Sequence, residues 1–127
     1  MKRILLLCIA TVLMIPACSS TGSNQPTSVP PLATPSFSYQ VVGSTKNTFM
    51  VVVDPKTSTD RAALQEIGDY LCTDIWPLCK IWFWDDINKA DTSYPVDPAN
   101  EKTLVALYSY NPNFNEKTLV VYALGDK

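Results

Sequence analysis

The chain contains no histidine. That absence removes the commonest general base, the commonest metal ligand and the one side chain that titrates near neutrality without perturbation. Nucleophilic catalysis by a Ser/His/Asp or Cys/His set is excluded, so an enzyme built on this sequence has to work with carboxylates, lysines, tyrosines or thiols. Basic charge is scarce too. Ten Lys and Arg stand against twelve Asp and Glu, a net charge of −2, and no basic stripe offers a footprint for nucleic acid. No apolar run reaches the about 20 residues that a membrane-crossing helix needs. At 127 residues the chain has room for one domain.

What the N-terminus does contain is Met1, Lys2 and Arg3 followed by twelve uncharged residues, Ile4 to Ile15. A positive start before a short apolar stretch matches a signal peptide, with Ala17 as the small residue ahead of the cleaved bond. The stretch Ile15, Pro16, Ala17, Cys18 resembles the lipobox of bacterial lipoproteins, in which an aliphatic and then a small residue precede an obligatory Cys. The resemblance covers residues 1–20. It implies that residues 1–17 are removed, that Cys18 takes a diacylglyceryl group through its sulfur, and that acyl chains anchor the mature protein in the membrane. Each buried methylene contributes about 0.8 kcal/mol, and more than one chain is needed for stable anchoring. In a host with two membranes, Ser19 in place of the inner-membrane retention Asp implies passage to the outer membrane.

Residues 18–36 form the next unit. From Ser19 to Ser36 the chain is mostly Ser, Thr, Pro, Asn and Gln and carries no charge, too little apolar surface to offset the entropy of ordering it. It reads as a disordered tether stiffened by Pro26, Pro30, Pro31 and Pro35, with a reach of roughly 55 Å at polyproline spacing.

Residues 37–127 carry the fold. Phe37 to Val42 and Thr48 to Val53 are rich in β-formers and flank a short polar stretch, which predicts a hairpin ended by Asp54 and Pro55. A helix follows, with Thr59 as its N-cap and Asp60 beside its positive end. Ala63, Leu64, Ile67, Leu71 and Ile75 recur at helical spacing. "KIWFW", Lys80 to Trp84, is apolar on both faces and reads as a central strand. Parallel pairing with Thr48 to Val53 would make the helix a crossover. The polar segment 87–100 is predicted as a loop with a short helical turn near Asn88 to Asp91. Finally, "EKTLVALYSY" from Glu101 and "EKTLVVYALG" from Glu116 echo each other and read as two strands of a hairpin turning through Asn111 to Asn115. The expected fold is α+β in two layers: a sheet of about five strands, mostly antiparallel, with one main amphipathic helix on one face. "KIWFWDDINKADT" resembles small uncharacterised bacterial and phage-borne α+β domains, a likeness that brings no activity with it.

Of the four cysteines, Cys8 leaves with the signal and Cys18 takes the lipid. Cys72 and Cys79 remain, and in an exported chain they are predicted to form a structural disulfide. Their spacing is not the C-x-x-C of redox motifs. Asp85 and Asp86, with Asn88 and Asp91 nearby, lack the ligand spacing of an EF-hand calcium loop. Adjacent on one strand end, they point in opposite directions and make no facing acid/base pair. They read as a strand terminator and cap. Trp76, Trp82, Trp84, Tyr94, Tyr108, Tyr110 and Tyr122 supply large aromatic area, suited to a core or a contact surface. Should the sheet face opposite the helix be open, Trp82 and Trp84, with Asp85 and Asp86 beside them, would form a partner-binding patch.

The reading that follows is a lipid-anchored envelope lipoprotein presenting a small non-catalytic domain for a protein or glycan partner, with no cofactor, metal or nucleic acid. The alternative is an envelope redox protein or carboxylate enzyme using Cys72 and Cys79 or Asp85 and Asp86.

Overall fold

A computed structural model describes residues 33–126; the segments expected to be a leader and most of a tether, with Cys18, lie outside the described residues. Five strands form one sheet in the order of the chain: β1 (Tyr39–Ser44), β2 (Thr48–Val53), β3 (Cys79–Trp84), β4 (Ala106–Asn111) and β5 (Glu116–Val121). β2 and β3 run parallel and every other pair is antiparallel. The parallel pair is joined through the main helix, α1 (Arg61–Leu71), and a second helix of one turn, α2 (Pro98–Glu101), precedes β4. This is the α+β architecture expected of the sequence, and among the described residues no helix is long and apolar enough to cross a membrane.

The N-cap of α1 is Asp60, not Thr59. Its side chain accepts hydrogen bonds from the backbone N–H groups of Ala62 and Ala63, satisfying two donors that a helix start leaves without partners. Thr59 belongs instead to a 3-10 turn, Thr57–Thr59, that delivers the chain to the cap. The helix buries Ala63, Leu64, Ile67 and Gly68 against the odd-numbered face of β2 and β3. There Val51, Val53, Ile81 and Phe83 meet Ala106, Tyr108 and Val121 of β4 and β5. Gly68 permits the close approach: a Cβ on it would stand 2.7 Å from the Tyr108 ring.

The opposite face is not open. Over β1, β2 and β3 it is overlaid by the segment between β3 and β4, which covers Met50, Val52, Trp82 and Trp84 with Ala90, Val96 and Leu104. Three features hold this strap down. Asp91 accepts from the backbone N–H of Asp97 at 2.5 Å and from Asn100 Nδ2 at 2.8 Å. Trp84 donates its indole N–H to the Asn100 carbonyl at 3.1 Å. Gly43 of β1 lets the Thr92 backbone lie where a side chain would otherwise be, since a Cβ there would fall 2.1 Å from the Thr92 carbonyl oxygen. Asp97 caps α2 by accepting from the Ala99 N–H. The helix of this segment is therefore at Pro98–Glu101, while residues 87–89 form only a turn.

The hairpin of β4 and β5 is present, turning through Pro112 to Asn115, but the two "EKTLV" copies fold differently. Glu116 to Val120 is strand, whereas Glu101 ends α2 and Lys102 to Val105 turn into β4. At the far end of β5, Asp126 closes the edge. It accepts from the Val121 N–H at 2.9 Å and forms an ion pair with Arg61 of α1.

Candidate functional groove

The register fixes what meets at each end of the sheet. Thr48 pairs with Lys80, Cys79 with Tyr110, and Asn111 with Glu116. The turn between β1 and β2, the loop between α1 and β3, and the turn between β4 and β5 therefore share one end.

Between the last two of these lies a groove of about 320 Å³ lined by Asp69, Cys72, Thr73, Asp74, Tyr110, Asn115 and Lys117. That volume falls at the low end of small-ligand sites. α1 contributes Asp69 from its last turn and hands the chain to Cys72, its C-cap. Thr73 back-bonds to the Asp69 carbonyl at 2.8 Å. Asp74 and Asn115 take left-handed backbone conformations, φ 64° and 49°, which Asp and Asn tolerate better than other side chains do. They turn the two loops back at the groove mouth.

Cys72 and Cys79 are joined by a disulfide with a Cα–Cα distance of 5.6 Å. It ties the end of α1 to the start of β3, as the sequence predicted. Both cysteines are almost wholly buried, at 1% and 0% exposure.

Asp69 is the hub of the groove. Its Oδ1 accepts from the Tyr108 hydroxyl at 2.6 Å and from Lys117 Nζ at 2.7 Å. The Lys117 ammonium also lies 5.5 Å from the centre of the Tyr110 ring, within range of a cation–π contact. Burial, and then the hydrogen bond to Asp69, pushes the Tyr108 hydroxyl far above its ordinary pKa of 10.0. Tyr108 is therefore a fixed donor to the carboxylate.

Trp76 is 59% exposed and Phe114 77% exposed. They stand on the two loops that line the groove. Neither exposure is legible in the sequence, where nothing local sets Trp76 apart from the other aromatics and Phe114 is marked only by its place among the turn formers of "NPNFN".

The residues expected to form a contact patch are distributed otherwise. Trp84 is completely buried under the strap. Trp82 is half-buried with its ring 6.4 Å from that of Tyr94, and its indole N–H is buried without a protein partner. Asp86 makes a local turn, accepting from the backbone and side-chain N–H groups of Asn88 at 2.9 and 3.1 Å. The Asn88 backbone N–H is the first cause holding its carboxyl below the ordinary carboxylate range, with Lys89 adding to it. Asp85 flanks it at the strand end. The structure thus separates these four residues between core and turn. Among the described residues, no group of three or more acidic or Cys side chains is placed to hold a metal ion. Another cavity of about 290 Å³, lined by Glu101, Lys102, Leu104 and Tyr122, lies at the other end of the sheet.

Comparison of the chain with protein-family models, with curated proteins and with solved structures finds no match.

Proposed function

We propose that this protein is a lipid-anchored envelope lipoprotein whose small domain binds a protein or glycan partner through the loop end of the sheet. The anchoring half of the reading rests on the signal-like N-terminus and the lipobox resemblance at Cys18. It is supported by the closed Cys72–Cys79 pair, since such bonds persist in oxidising compartments outside the cytosol. The binding half is carried by one observation: Trp76 and Phe114 are exposed on the loops flanking a groove with polar groups converging on it. Exposed aromatics of this kind concentrate at contact sites. A redox or carboxylate enzyme is less well supported, because both sulfurs are buried and the Asp86 carboxylate is taken up by Asn88 and Lys89 of its own turn.

Two measurements test the two halves. The intact mass of protein taken from its native membranes should match cleavage before Cys18 plus acyl chains, with two alkylations appearing only after reduction. A mass that retains residues 1–17 sinks the anchoring half. A photo-reactive residue at position 114 should cross-link to a partner in cells, while one at the exposed Leu124, at the opposite end, should not. Equal labelling from both positions, or none from 114, removes the loop end as the contact surface.

A further inference from the structure

The groove already holds an ammonium group, and it is the protein's own. Lys117 lies at the start of β5, an edge strand, and its side chain is 40% exposed. An exposed ion pair of this kind contributes little to stability and is readily exchanged. The groups that receive it do not depend on it. Asp69 is held in place by the Tyr108 hydroxyl at 2.6 Å from within the core, and the Tyr110 ring lies on β4. Were Lys117 to swing out, the groove would keep Asp69 and Asp74 and have no cation in its lining. What remains is a carboxylate fixed by a buried donor, an aromatic face and a second carboxylate at the mouth, around a groove that measures about 320 Å³ with Lys117 still in its lining. That combination favours a cation with an apolar stem over an anion or a neutral sugar.

We propose that the groove is a recognition site for the lysine side chain of a partner polypeptide, with Lys117 as the internal stand-in that the partner's lysine displaces. Lys117 shows the fit directly, since its ammonium reaches both Asp69 and the Tyr110 ring. The choice of lysine rests on the reading that the loop end is the contact surface, and names the chemistry recognised there. Self-occupancy lowers apparent affinity in proportion to the fraction of molecules whose groove is open.

The test is a titration of the isotope-labelled full chain in detergent micelles with Nα-acetyl-lysine amide, read at the amide resonances of Thr73, Asp74, Tyr110 and Asn115. The control probe is the same compound acetylated on its ε-nitrogen, which has no charge. Lys117→Met should bind the charged probe about two- to fivefold more tightly than the unaltered chain, as the competing ammonium, held by a weak exposed pair, is gone. Asp69→Asn added to Lys117→Met should abolish the response. A folded Lys117→Met chain whose four resonances do not move, or which responds equally to the acetylated control, overturns the proposal. Should Lys117→Met not fold, the Lys117 side-chain resonances of the unaltered chain decide: they should shift toward free-lysine positions as probe is added, and no shift overturns it. If the probe fails while cross-linking from position 114 persists, the lysine assignment falls and the loop-end contact surface stands. If the probe binds while position 114 gives no cross-link, the lysine site is supported and the contact surface falls.

Discussion

Gly68 and Tyr108 show how much one contact carries in this domain. The ring lies against the glycine so closely that a Cβ would come within 2.7 to 2.9 Å of three ring atoms. The same placement brings the hydroxyl onto Asp69. Gly68→Ala should therefore lower stability by about 1 to 2 kcal/mol, because overpacking a rigid ring outweighs the about 1 kcal/mol gained in helix propensity. Urea denaturation measures the difference. Tyr108→Phe should cost about 1.5 to 3 kcal/mol through loss of a hydrogen bond to a charged acceptor, and it should also change the alkaline limb. With a folded-state pKa raised above the unfolded value of 10.0, the tyrosine contributes stability that is complete below pH 10 and is lost as pH rises beyond it. The Phe variant should lose less stability than the parent between neutral pH and pH 11. An unchanged alkaline slope would show that Tyr108 is not held in its neutral form.

At the scale of elements, the strap between β3 and β4 does what a second helix does in other two-sided sheets. It covers the β1–β3 half of the face with Ala90, Val96 and Leu104, and Asp91 ties its middle to Asp97 and Asn100. Asp91→Ala should release two hydrogen bonds to a charged acceptor and cost about 2 kcal/mol. Backbone amides of residues 88–97 should then exchange faster, with red-shifted tryptophan emission as Trp82 meets water. Exchange confined to residues 88–90 would mean that Gly43, rather than Asp91, fixes the strap. The two "EKTLV" segments belong to this scale as well. Local sequence is identical, but Asp97 and Pro98 start a helical turn before the first copy, and Asn111 to Asn115 place the second in register with β4. Strand propensity alone assigns residues 101–105 to a strand, and the Asp97 cap upstream overrides it.

For the whole molecule, the disulfide joins its two main layers, from the C-cap of α1 to the first residue of β3. Closing so short a loop is worth about 2.5 kcal/mol in the unfolded-chain account. A Cys72→Ser/Cys79→Ser chain should remain folded with its urea midpoint lowered accordingly, and reducing agent should shift the parent's midpoint but not the variant's. An equal shift in both would place the redox sensitivity elsewhere. The bond also walls one side of the groove through Cys72, so its loss should weaken any ligand held there.

Much of this protein was decided by sequence alone, where the signal is local and periodic. The apolar spacing of Ala63, Leu64 and Ile67 sets α1, alternation and turn formers set the strands, and the pairing expected of Cys72 and Cys79 across the turn from helix to strand is present. The missing histidine bounds the chemistry in the same way, without reference to any fold. Tertiary structure alone decided which aromatics are exposed and where charged groups converge. Burial is set by what crosses a face from far along the chain: Trp84 is hidden because a strap returns over it, while Trp76 and Phe114 are left on loop tips. The groove depends on the same kind of distance, since Asp69 and Lys117 lie far apart in sequence and meet only because β4 and β5 fold back beneath the last turn of α1.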